Sequence, residues 1–161
     1  MLLRQVETNR ELINLREVLD SASLLVQQAF LGAGASLTIE QSSAPCEAMG
    51  DAVQLQLALT NVLRNGLEAA IASGNPSPAV AVTLKRDCKF NTIIVNDNGI
   101  GFQEGFDFDR PLNNTKANGS GIGLYVARLS MENHGGCLRI GRSQLLGGAS
   151  VELCIPLTGS Q

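Results

Sequence analysis

The longest irregular segment of this chain spans residues 99–121. It has no sustained helical or strand period, and it contains glycine, asparagine, aspartate and proline. A β-branched run precedes it and a helical pattern follows it. A loop of that length inside a compact domain is usually functional. The fold must therefore hold one long, functional loop between a strand and a helix.

The chain before this loop divides into two helical and three strand-like runs. Apolar residues at helical spacing predict a helix over the first thirty residues, followed by a strand at residues 36–40. Residues 42–50 are expected to form a loop. Asp51 can cap a second helix that runs to about Ser73. Residues 79–86 and 91–95 then predict two strands joined as a hairpin.

The chain after the loop predicts a helix at residues 122–133 and strands at residues 137–141 and 149–155. Helices alternate irregularly with strands, and no internal repeat is present. We therefore expect an α+β fold with two layers, in which about three helices cover one face of a mixed, mostly antiparallel sheet.

Composition narrows the function classes. The 161 residues carry a net charge of -3, so nothing attracts the chain generally to nucleic acid or to an anionic membrane. No apolar run approaches the roughly 20 residues that span a bilayer. Four widely spaced cysteines and one histidine disfavour a structural zinc site, and reduced thiols suit a cytoplasmic protein. We expect a cytoplasmic domain; whether a longer parent is membrane-anchored stays open.

The helix after Asp51 carries a polar face. At 100° per residue, Asn61, Asn65 and Glu68 lie within about 60° of one another, opposite the apolar residues that should pack on the sheet. Two asparagines in mid-helix are unfavourable by roughly 0.5 kcal/mol or more each relative to alanine. The face is either solvated, or it supplies oxygen ligands to a hard cation such as Mg2+.

The segment from Asp97 to Gly101 ends a β-branched run with the pattern Asp-x-Gly-x-Gly. The two glycines let the backbone turn sharply and approach a ligand closely. A buried carboxylate there can accept a hydrogen bond from the exocyclic amine of adenine. The alternative is a simple hairpin turn, for which Asp-Asn-Gly is suitable.

Gly119-Ser120-Gly121-Ile122-Gly123-Leu124 begins the third helix. Free amides and the positive end of the helix dipole suit such a place to phosphate. A Rossmann fingerprint would follow a strand directly, whereas a long loop precedes this motif. The P-loop pattern is absent.

The order and spacing of these three segments resemble the GHKL ATPase superfamily, which contains histidine kinases, DNA gyrase, Hsp90 and MutL and has the Bergerat fold. The finer resemblance is to the kinases. The segment 59–70, which contains Asn61 and Asn65, looks like their N box, and Pro111-Leu112-Asn113-Asn114-Thr115-Lys116 is similar to their Pro-Phe-x-Thr-Thr-Lys lid. His134-Gly135-Gly136 matches the segment after their last helix. The resemblance covers about residues 36–157.

The resemblance implies a binding site for ATP and Mg2+. Asn65 would bind the metal, Asp97 the adenine amine, and Lys116 the outer phosphates. Ile100 and Leu124 would be apolar walls for the base, and the role of Glu68 stays open. The expected nucleotide-binding residues are Asn65, Glu68, Asp97, Gly99, Ile100, Gly101, Thr115, Lys116, Gly119, Ser120, Gly121, Ile122, Gly123 and Leu124.

Asn61 and Lys116 are the expected catalytic residues. Gyrase and related hydrolases carry a glutamate at the position of Asn61 as general base for water. An asparagine cannot take that proton, which favours transfer to another acceptor over hydrolysis. Three departures from the family pattern are Gly66, where alanine is usual, Glu68, where some sensor kinases have a phosphate-binding lysine, and the lid pair Leu112 and Asn113, where phenylalanines are common.

Family likeness makes the lone histidine, His134, structural rather than the phosphoacceptor. Residues 1–31 look like the end of a dimerisation hairpin with a linker helix, and residues 32–161 like the catalytic ATP-binding domain. The implied partners are ATP, the hairpin histidine of a homodimeric parent kinase, and a response-regulator receiver, with no nucleic acid and no membrane contact. This chain should bind ATP without phosphorylating itself. The alternatives are an anti-sigma-type serine kinase and a degenerate nucleotide-binding scaffold.

Overall fold

The computed structural model describes residues 9–106 and 122–157. Within them lie three helices and seven strands. In chain order they are β1 (Glu11–Asn14), α1 (Leu15–Gly32), β2 (Ser36–Gln41), β3 (Glu47–Gly50), α2 (Ala52–Ala72), β4 (Ala79–Arg86), β5 (Phe90–Asp97), α3 (Ile122–Asn133), β6 (Cys137–Arg142) and β7 (Ala149–Pro156).

Five strands form the main sheet in the order β2-β4-β5-β7-β6. β2 runs parallel to β4, and the other neighbours are antiparallel. The helices cover one face, with α2 packed between α1 and α3. The predicted α+β class, a mixed and mostly antiparallel sheet under three helices, is confirmed.

One hydrophobic core lies between the two layers. Along β4, Val80, Val82 and Leu84 alternate inward, as the period of a half-buried strand requires. Gly66 brings α2 close to this strand, because a Cβ placed there would lie 3.2 Å from Val80 Cγ2. The glycine that lowers the helix propensity of α2 therefore also permits close helix–sheet packing at mid-helix.

Two predicted boundaries near the N-terminus were wrong. Residues 11–14 form a strand rather than helix, and they pair antiparallel with residues 47–50, which were expected to be loop. Asn14 caps α1, since its Oδ1 accepts from the Arg16 amide at 2.9 Å. Leu12 fitted the helical period by coincidence; it is exposed, whereas the next residue, Ile13, is buried.

Helix α1 belongs to the same core as the rest of the described chain. Leu15, Leu19, Val26 and Phe30 are buried in one cluster with the apolar face of α2. The predicted boundary between residues 31 and 32 thus runs through a single core. The assignment of residues 1–31 to a hairpin and linker stays a prediction.

The caps of α2 and α3 are tied together. Asp51 Oδ1 accepts from the amides of Val53 and Gln54 at 3.0 and 3.1 Å, which confirms the predicted N-cap. The Asp51 amide in turn donates to His134 Nε2 at 3.0 Å, and His134 Nδ1 donates to Ser130 O at 2.7 Å. The buried histidine is structural, as predicted.

Across residues 9–106 and 122–157, none of the helices combines the length and apolar character needed to cross a membrane.

Candidate functional site

A narrow cleft opens between α2, the end of β5, the start of α3 and the start of β7. Its walls are mostly apolar, with one carboxylate and one carboxamide. The lining residues are Val62, Asn65, Gly66, Ala69, Val95, Asp97, Gly101, Phe102, Leu124, Ala149 and Val151. Asn65, Asp97, Gly101 and Leu124 were singled out from the sequence, and the fold brings them together here.

Asp97 is the last residue of β5 and only 5% exposed. Its Oδ1 accepts from the amides of Gly99 at 2.9 Å and Ala149 at 3.1 Å. In the described part of the chain both donors bind Oδ1, which leaves Oδ2 for a ligand. Burial raises the pKa of Asp97, and the two amide hydrogen bonds oppose that rise. The carboxylate is therefore held in one orientation in an environment that strengthens hydrogen bonds to it.

The hairpin-turn interpretation of this segment fails. β5 pairs with β4 and β7, and residues 98–106 do not return as a paired strand. The next residue, Asn98, stabilises the strand end instead: its Oδ1 accepts from the Ala79 amide at 2.9 Å, and its Nδ2 donates to Ser77 O at 2.8 Å.

Asn65 projects from α2 toward the first turn of α3. A Cβ placed on Gly123 would lie 3.4 Å from Asn65 Nδ2 and 3.6 Å from Asn61 Cβ. Asn65 Nδ2 is buried and has no hydrogen-bond partner among the described residues. A buried amide NH2 group without a partner is unfavourable by about 1–3 kcal/mol, so it points to a hydrogen-bond acceptor in a ligand, such as a phosphate oxygen. The solvated-face interpretation fits the exposed Glu68 but not Asn65.

Two glycines permit the close approach of backbone segments around Asp97. A Cβ on Gly99 would lie 2.7 Å from the carbonyl of Ala69 on α2. A Cβ on Gly148 would lie 2.3 Å from Asp97 Oδ1, and the Gly148 amide donates to Asp97 O at 3.0 Å. Gly148 was not among the site residues predicted from the sequence. Of the pair Gly147-Gly148, only Gly147 has a positive φ, of 86°, so the backbone conformation requires glycine at 147 but not at 148. The second glycine of the pair was therefore the available signal.

The other predicted site residues divide into three groups. Leu124 is 2% exposed in the cleft, whereas Ile122 lies at the exposed start of α3. Ile100 is half-exposed and lines a neighbouring cleft with Phe102 and Ile140. Thr115, Lys116, Gly119, Ser120 and Gly121 lie outside the described residues.

Phe102 was missed by sequence reasoning. It lines both clefts, and its ring lies 4.6 Å from that of Phe106. Its position directly after the second glycine of the Asp-x-Gly-x-Gly pattern was the available signal.

The sequence matches a family of ATPase domains. The family model described as "Histidine kinase-, DNA gyrase B-, and HSP90-like ATPase" matches residues 50–159. Because this match covers most of the chain, the chain belongs to that family.

The similar curated proteins are sensor kinases. Sensor protein FixL of Bradyrhizobium diazoefficiens is 34% identical over 110 residues, which is 67% of this chain and 21% of FixL. Sensor histidine kinase ZraS of Klebsiella oxytoca is 29% identical over 164 residues, 99% of this chain and 34% of ZraS. The chain thus spans about a fifth to a third of the length of these relatives.

The fold is that of solved kinase domains. The catalytic domain of histidine kinase ThkA superposes with a TM-score of 0.78, at 20% identity, over 92% of this chain and 97% of that one. ThkA has also been solved in complex with the response regulator protein TrrA, where the superposition has a TM-score of 0.76 at 16% identity over 94% of this chain and 42% of that one.

Proposed function

We propose that this chain is the catalytic ATP-binding domain of a sensor histidine kinase, which transfers the ATP γ-phosphoryl group to a histidine outside the chain. The observation that carries the proposal is the buried Asp97 carboxylate. Two backbone amides hold its Oδ1, and its other oxygen is left for a ligand. Asn65, with its unpartnered buried amide, lies in the same cleft.

Adenine fits this cleft chemically. Asp97 Oδ2 would accept from the exocyclic amine, while Val62, Ala69, Val95 and Leu124 supply apolar contact to the ring. Guanine presents a carbonyl oxygen at the same ring position, so it would face the carboxylate with like partial charge. The site should therefore favour ATP over GTP.

Asn65 fits the role of a Mg2+ ligand. Among the described residues no cluster of three or more His, Cys, Asp or Glu could hold a metal ion by itself. Mg2+ in nucleotide sites takes few protein oxygens and is otherwise held by waters and phosphates. One carboxamide oxygen beside the start of α3 suits that pattern, and the bound ion would neutralise phosphate charge.

Asn61 distinguishes transfer from hydrolysis. It lies on α2 one turn before Asn65 and close to Gly123. A carboxamide cannot accept the proton of an attacking water, so the chain supplies no general base at this position. Its contribution is to position the phosphate, with catalysis arising from orientation and charge stabilisation. Lys116 would approach the outer phosphates from the lid.

The acceptor and the next partner lie outside this chain. We propose a hairpin histidine of a homodimeric, cytoplasmic parent kinase as first acceptor, and the receiver domain of a response regulator as second. The ThkA–TrrA complex supports the second assignment. A separate substrate protein phosphorylated on serine would instead indicate the anti-sigma-type kinase.

Calorimetric titration tests the site. ATP, ADP and GTP are titrated into the chain with and without Mg2+, and the ATP titration is repeated on Asn65→Ala. Gln56→Ala is a matched control, because its amide lies on the same helix about 180° away. We expect Mg2+ to strengthen ATP binding in the chain and in the control but not in Asn65→Ala. Absence of nucleotide binding under every condition would contradict the proposal and indicate a scaffold that only mediates protein contacts.

A further inference from the structure

Cys137 and Cys154 lie directly opposite each other on the antiparallel strands β6 and β7. Both are free thiols. Residues directly opposite in an antiparallel pair have Cα atoms about 4.5–5.5 Å apart, inside the 4.4–6.8 Å range of disulfides. The residue before β6, Gly136, packs directly against the backbone of β7, since a Cβ on Gly136 would overlap Cys154 O. A disulfide can therefore close here without a large backbone movement.

The surroundings of the two sulfurs differ. Cys154 is fully buried, and Arg139 Nη2 donates to its Sγ at 3.3 Å. Glu152, the cross-strand partner of Arg139, holds the same guanidinium with its Oε2 3.5 Å from Arg139 Nε. Cys137 is only half-buried, so it is the sulfur that a small oxidant meets first. Burial is the main reason that the pKa of Cys137 is raised, so only a small fraction is thiolate at neutral pH and its reaction with peroxide should become faster as the pH rises.

We propose that Cys137 and Cys154 form a peroxide-sensitive dithiol site that closes reversibly to a disulfide. Cys137 Sγ attacks hydrogen peroxide, the O–O bond breaks, and sulfenic acid and one water form. Cys154 Sγ then attacks Cys137 Sγ, and the second peroxide oxygen leaves as water with the remaining thiol proton. Two thiols lose two electrons in total, and one peroxide is reduced to two waters.

The cross-link joins β7, which lines the proposed nucleotide cleft, to the neighbouring edge strand β6. β6 follows α3 after only the His134-Gly135-Gly136 segment, and β7 begins at Ala149, which donates to Asp97. Closing the loop between the two cysteines restricts the unfolded chain. The oxidised domain should therefore unfold at a higher denaturant concentration than the reduced one. This inference does not depend on the proposed kinase function.

Thiol counting and peptide mapping test the site. The reduced chain is treated with hydrogen peroxide in the Cys88→Ser background, which removes the exposed cysteine that could link two molecules. We expect two thiols to be lost, a Cys137–Cys154 peptide in the unreduced digest, and recovery of both thiols with dithiothreitol. A different pairing, or irreversible oxidation of Cys137 without a cross-link, would overturn the proposal.

Variants separate the pair from the other cysteines. Cys137→Ser and Cys154→Ala should each abolish the disulfide and the oxidative rise in denaturant midpoint. Cys46→Ser is the matched control and should retain both. Because mapping is performed with both cysteines of the pair intact, the test does not depend on the folding of the Cys154 variant. Retention of the midpoint rise in Cys137→Ser would refute the assignment.

Discussion

Substitution of Gly148 by alanine tests whether the close approach of this glycine holds the Asp97 carboxylate in place. The added Cβ would lie 2.3 Å from Asp97 Oδ1, 2.5 Å from Asp97 O and 2.6 Å from the Gly99 nitrogen. Real Cβ contacts are essentially never shorter than 3.0 Å, and two of these three atoms belong to the backbone. The Gly148 φ is not in the left-handed region, so the expected effect is purely steric.

The magnitude follows from two terms. Forcing an extra carbon into a packed site is unfavourable by about 1–3 kcal/mol. Moving Asp97 also weakens the amide hydrogen bonds to its Oδ1, where a bond to a charged group contributes about 1.5–3 kcal/mol. We expect the free energy of unfolding to fall by about 2–4 kcal/mol. Loss of one charge-assisted hydrogen bond to adenine should weaken ATP binding by roughly ten- to a hundredfold.

Gly141→Ala is the matched control on β6 of the same hairpin. A Cβ there meets nothing within 4 Å, and the residue has no positive φ. Its effect on stability should stay within about 0.5 kcal/mol. Urea unfolding gives the stability of both variants, and calorimetry gives their ATP affinity. If Gly148→Ala matched Gly141→Ala in both measurements, the close approach to Asp97 would have no energetic consequence and the reasoning would be refuted.

Three further substitutions follow from the contacts. Asp97→Asn should stabilise the nucleotide-free fold while weakening ATP binding. Because the pKa of Asp97 is raised in the folded state, the unmodified chain loses stability as the pH rises above the ordinary carboxyl range. The Tm of Asp97→Asn should therefore exceed that of the unmodified chain above this range and equal it at lower pH. A gain in Tm that does not depend on pH would contradict the argument. Gly50→Ala places a Cβ 2.6 Å from the His134 ring and should lower stability by about 1–3 kcal/mol. In a double-mutant cycle by urea unfolding, the loss should shrink in a His134→Ala background, and additive losses would argue against a clash. Asn14→Ala removes the α1 cap and should lower stability by about 1 kcal/mol, measured by thermal unfolding; an unchanged Tm would show that the cap contributes nothing.

Local signals were sufficient for the elements that carry the site. The N-cap at Asp51 and the apolar period that follows it predicted α2, and the glycines after His134 marked the end of α3. Strand alternation predicted β4, and the β-branched run predicted β5 with Asp97 at its end. These signals act between residues a few positions apart, so the amino-acid sequence alone is enough to recognise them.

The pairing of β1 with β3 could not be predicted from local sequence patterns. Each strand has four residues, too few for a period to stand out, and the partners are more than thirty positions apart. The helical spacing of Leu12 with later residues predicted the wrong structure, because the cap at Asn14 and the pairing with β3 override it.

The sequence by itself determined which residue types the proposed nucleotide site offers: a carboxylate at a strand end, asparagines on one helix face, and Gly123 at a helix start. Only the tertiary structure decided that Asp97 is buried with one oxygen held by Gly99 and Ala149, and that Gly148 must lack a side chain. Residue identity sets the chemistry that a site can offer. The burial of Asp97 and its hydrogen bond from Ala149 depend on contact between segments about fifty positions apart, which local sequence patterns do not report.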